Sequence, residues 1–169
     1  MTKFGRFTRR STRAVAAAAA AVLALMDVAS AATCALADEK IALDTRTLQS
    51  ELIVAALSCN EKARYGAFVK KFEQVLVANG DSLRQYFRRA YGAAGETHMN
   101  RLVTVLANGA SARSMGQNNS VYCANEAALF TQVLALSPQE LPVFVARLTF
   151  ADDHGITPCT QQASREAGR

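Results

Sequence analysis

The sixteen residues DTRTLQSELIVAALSC, from Asp44 to Cys59, decide the fold class. Leu48, Leu52, Ala55, Ala56 and Cys59 recur at i, i+4, i+7, i+8 and i+11, the interval that paints one face of an α-helix. Asp44 stands where a side-chain oxygen can accept from the free amides of a first turn. The expectation is an amphipathic helix from Asp44 that ends near Ser58.

Toward the C-terminus the same period continues. Asn60 is placed to cap a second helix with Tyr65, Phe68, Val69, Phe72 and Leu76 inward, and Asn79-Gly80 offers a left-handed stop. Asp81 or Ser82 then starts a short third helix with Leu83, Tyr86, Phe87 and Ala90 on one face and Gly92 past its end. A glycine-punctuated link, Gly92 to Gly95, leads into a helix from Glu96 whose stripe is Met99, Leu102, Val103, Leu106 and Ala110 and which fades near Arg113. Ser114 to Ser120 reads as a polar loop. A further helix from Val121 aligns Cys123, Ala127, Phe130 and Leu134. Ser137-Pro138-Gln139-Glu140 is a capping box, after which Pro142 delays a last regular helix to Val143 through Phe150. No segment alternates with the two-residue period of a half-buried strand. The fold expected is all-α: a compact bundle of five or six short helices in one domain, 32–160, followed by a loose tail, 161–169.

Toward the N-terminus the composition changes. Lys3, Arg6, Arg9, Arg10 and Arg13 precede an apolar run from Ala14 to Met26, and Ala29-Ser30-Ala31 supplies the small residues of a cleavage site. This is the pattern of a secretory signal over residues 1–31, with cleavage before Ala32. The run falls short of the roughly 20 apolar residues that cross a bilayer, so no transmembrane segment is expected in the mature chain. The full chain carries 19 basic and 14 acidic residues; without the five basic residues of the signal and Asp27, 14 stand against 13, a net charge of about +1. Near-neutrality and export both argue against a nucleic-acid partner.

Cys34, Cys59, Cys123 and Cys159 all follow the favoured cleavage site, and an even number of thiols in an oxidising compartment pairs. Cys59 and Cys123 fall on apolar helical stripes, whereas Cys34 and Cys159 lie in the irregular ends. Pairing like with like gives Cys59 with Cys123 and Cys34 with Cys159. Metal ligation is disfavoured because no two cysteines lie two to four residues apart and only His98 and His154 could assist. No cofactor is expected.

Two sets of side chains are candidates for function. Lys62, Arg64, Lys70, Lys71, Arg84, Arg88 and Arg89, set against Glu61, Glu73 and Asp81, concentrate positive charge between residues 61 and 89. With Tyr65, Tyr86 and Tyr91 nearby, they suit an anionic surface or an acidic envelope protein; the plainer reading is a solvated face, with Lys70 and Glu73 as an intrahelical pair. Glu51, in an otherwise apolar stretch, is similar in kind to the glutamic acid of small helical exported domains that cut cell-wall glycans. That likeness implies muramidase-like hydrolysis with Glu51 as general acid, although such domains carry a Glu-Ser order and here the order is Ser50-Glu51. The plainer expectation is a solvent-facing glutamate beside Thr47 and Gln49. His98 sits in a first helical turn, Asp152-Asp153-His154-Gly155 reads as a turn without the spacing of a calcium loop, and Asn118-Asn119-Ser120 matches a glycan acceptor in a loop. The leading functional expectation is a non-enzymatic binding module, periplasmic or secreted, with the cell-wall hydrolase as the alternative.

Overall fold

The computed structural model describes residues 33–160, so the signal and the tail lie outside the described residues. Among the described residues five α-helices make the fold: α1 Ala37–Ser58, α2 Lys62–Tyr91, α3 Gly95–Met115, α4 Asn119–Ala135 and α5 Leu141–Val145. Short 3-10 turns lie at Gly92–Ala94, Pro138–Glu140 and Ala151–His154. Among the described residues there is no strand, only a lone parallel bridge between Ala35 and Pro158. No single described helix is long and apolar enough to cross a membrane.

The central element is α1, which is buried on nearly every side. Its second half, through Leu48, Leu52 and Ala55, packs with Phe68 and Phe72 of α2, Phe130 of α4 and Leu141 of α5. Its first half, through Ala42 and Leu43, packs with Leu83, Tyr86 and Phe87 of α2 and with Leu102 and Leu106 of α3. Burial all round obliges the polar groups of α1 to find partners inside the protein. Thr45, Thr47 and Ser50 donate to the carbonyls of Ile41, Leu43 and Arg46, one turn back, at 2.8, 3.1 and 3.1 Å.

Several boundaries differ from those the sequence suggests. Helix α1 begins at Ala37, where Glu39 accepts from the Leu36 amide at 2.8 Å, and Asp44 lies buried in mid-helix instead of capping it. Asn60 adopts a left-handed conformation, φ 58°, and so breaks the chain between α1 and α2 instead of capping α2. The expected second and third helices are one helix of 30 residues. Asn79-Gly80 does not stop it because the stripe Phe72, Leu76, Leu83, Phe87 runs unbroken across it, and packing outweighs the roughly 1 kcal/mol that a mid-helix glycine costs. The stop is Gly92, φ 55°. Close packing follows at Gly95, where a Cβ would stand 2.7 Å from the Phe87 carbonyl oxygen. The last helix is shorter and earlier than expected: Pro142 fits its first turn, where no amide donor is needed, and turns replace the helix after Val145.

Disulfides join Cys59 at the end of α1 to Cys123 of α4, with Cα atoms 5.4 Å apart, and Cys34 to Cys159, 4.8 Å apart. Around the second, the Ala35 amide donates to the Thr157 carbonyl at 2.9 Å and the Cys159 amide to the Ala35 carbonyl at 2.8 Å. The two ends of the described chain are thereby tied side by side.

Candidate functional site

Lys40, Asp44, Thr47 and Glu51 repeat at i, i+4, i+7 and i+11, a polar stripe along α1. The segment Ala151–His154 and the end of α3 close over it. Lys40 Nζ lies 2.6 Å from Asp44 Oδ1 and 2.8 Å from Asp152 Oδ1. His154 Nε2 lies 3.1 Å from the same Asp44 oxygen. Farther along, Arg113 donates to Glu51 Oε2 from Nε at 3.0 Å and from Nη2 at 2.5 Å, and pairs through Nη1 with Asp153. Its guanidinium also rests over the Phe150 ring, 5.6 Å from the centroid. Burial works against the charge of Arg113, but Glu51 and Asp153 outweigh it and push the guanidinium further up. For Lys40 burial is likewise overcome by Asp152 and Asp44. The segment is thus clasped to α1 by alternating charges.

Glu51 is therefore not solvent-facing, as its sequence neighbours suggest, but 2% exposed beneath Arg113. Glu126 of α4, 8% exposed, is the second carboxyl of this region. Burial, and then the charge of Glu51, push it up to about 7, with Arg113 pulling the other way.

His154 lies in the short turn Ala151–His154, as its sequence neighbours suggest, but its side chain is buried. The Ile156 amide donates to its Nδ1 at 3.0 Å, so that nitrogen carries the lone pair and Nε2 carries the proton given to Asp44. Asp44, Asp152 and His154 bring ligand-type atoms within 4.8 Å of one another. The arrangement does not fit a metal ion. Ligation through Nε2 would move the ring proton to Nδ1, against the Ile156 amide, and the Lys40 ammonium already bridges the two aspartates.

The seven basic residues have different duties. Arg89 donates to Glu39 and, at 2.8 Å, to the Cys34 carbonyl, so it belongs to the interior fastening of the chain ends. Arg64 donates to Thr131 Oγ1 at 2.5 Å and lies over the Phe130 ring. Lys71 donates to the Leu134 carbonyl at 2.6 Å, satisfying the end of α4. Arg84 pairs with Asp81, while Lys62, Lys70 and Arg88 are exposed and form no ion pair among the described residues. Arg84 and Arg88, one turn apart, line an open groove of about 500 Å³ between the end of α2 and the start of α3, together with Phe87, Glu96 and Met99.

His98 stacks on Tyr91 with centroids 3.8 Å apart. Asn118 caps α4, its Oδ1 accepting from the amide and hydroxyl of Ser120 at 2.9 and 2.6 Å. Sequence reasoning missed Lys40, Arg113, Glu126 and Tyr122. The charged stripe on α1 is the signal that could have found Lys40; nothing local marks the others. No known protein family, curated protein or solved structure matches the chain.

Proposed function

We propose that this small helical, disulfide-stapled protein is a non-enzymatic interaction module of a periplasmic or secreted setting, and that the groove beside Arg84 and Arg88 receives an anionic group. The single observation that carries the reading is the placement of these two arginines over a concavity with Phe87 and Met99 in its wall, a polar clamp with an apolar seat. Two disulfides, which suit an oxidising compartment, support the exported setting. Arg89 drops out of the contact surface because its donors are engaged inside the protein. The hydrolase alternative gains no support, since the carboxylate it requires lies under Arg113.

Co-sedimentation with phosphatidylglycerol-containing vesicles, against phosphatidylcholine alone, tests the groove. A basic residue near an anionic surface contributes about 1 kcal/mol, so Arg84→Glu with Arg88→Glu should weaken retention by at least about tenfold. Retention equal to wild type would remove the groove as the contact. If neither vesicle retains the wild type but an envelope-protein fraction does, with the same dependence on Arg84 and Arg88, the anionic group belongs to a protein.

A further inference from the structure

Where the first half of α4 lies on α1 and α3, two buried oxygens have no hydrogen-bond partner among the described residues: Oη of Tyr122 and Oε2 of Glu126, one turn apart on α4. The donors around them are committed. Arg113, from α3, gives Nε and Nη2 to Glu51 of α1 and Nη1 to Asp153. Ser114, also within reach of Tyr122, directs its hydroxyl to Ser58 Oγ at 3.2 Å. From α2 the charged groups that meet α4 are Arg64 and Lys71, and both bind farther along it, at Thr131 and Leu134. An ionised Glu126 would face the Glu51 carboxylate with no side chain donating to its buried oxygen. A protonated one buries no charge beside the Glu51 carboxylate.

We propose that this seam is a proton-operated latch: with Glu126 as a carboxylic acid the first half of α4 stays seated on α1 and α3, and ionisation of Glu126 loosens it. Burial and the nearby Glu51 charge place the change at about 7 in the folded protein, above the ordinary value of 4.5. A raised carboxyl ionises first in the unfolded chain. The stability of the closed seam is thus full below about 4.5, falls as pH rises toward about 7, and stays reduced above. The Cys59–Cys123 bond tethers α4 to the end of α1, so the loosened helix remains in place to re-seat when the proton returns.

Carbon-13 NMR of the intact, oxidised protein follows the Glu126 carboxyl from pH 4 to 9, alongside amide exchange of residues 119–128 corrected for intrinsic base catalysis. The expected midpoint is near 7, and protection in this half of α4 should fall by at least about tenfold between pH 5.5 and 8, the linkage consequence of one ionisation. Glu126→Gln should hold that protection constant across the range. A midpoint near 4.5, or wild-type protection that does not change with pH, would overturn the latch. If the glutamine variant fails to fold, the wild-type titration and exchange decide alone.

Discussion

Replacing Arg113 by alanine should lower the stability of the folded protein by about 3 kcal/mol. The loss follows from what is left behind: Glu51, 2% exposed, with no guanidinium, and Asp153 detached from α3. Stranding one partner of a buried ion pair typically costs about 3–5 kcal/mol. The Arg113 side chain is 35% exposed, so water can enter where it stood, which places the cost at the low end. Chemical denaturation at neutral pH measures it. The companion experiment is the double change Arg113→Met with Glu51→Leu, which removes both charges and should recover most of the loss. A deficit under about 1 kcal/mol in the single variant would show that the clasp contributes little.

Removing the Cys59–Cys123 bond by paired serine substitution should cost about 4 kcal/mol on the chain-entropy account of a crosslink that closes so long a loop. At this domain size that is a fall in Tm of roughly 12–20 °C. The location explains why strain relief should not offset it. Cys59 and Cys123 border the largest apolar cluster, beside Phe68 and Phe130, and the bond holds the end of α1 against α4. Calorimetry of the variant against oxidised wild type checks the value. A shift of only a few degrees would mean that helix packing alone orders this corner.

The helical character, the apolar faces of α1, α3 and α4, and the separation of stripe cysteines from end cysteines were legible because each is a local, periodic property. The continuity of α2 was misjudged at Asn79-Gly80 because a local stop signal was weighed before the stripe on either side of it. Most of the polar interior was not legible for a different reason. Periodicity identifies which side of α1 is apolar, but it is silent on whether the polar side is covered. Asp44 therefore read as a cap and Glu51 as solvated, while Arg113, Asp152, Asp153 and His154, which cover them, lie far along the chain. The same limitation applied to the basic residues, since the internal duties of Arg89, Arg64 and Lys71 depend on partners that spacing does not reveal.

The nested arrangement of the two sulfur bridges sets a constraint on the order of events at birth. A chain that emerges N-terminus first presents Cys59 soon after Cys34, whereas the correct mate, Cys159, follows 125 residues later. The nearest-neighbour bond is thus the wrong one. Native pairing therefore requires that Cys34 stay reduced, or be released from a mispaired bond by thiol exchange, until Cys159 is available.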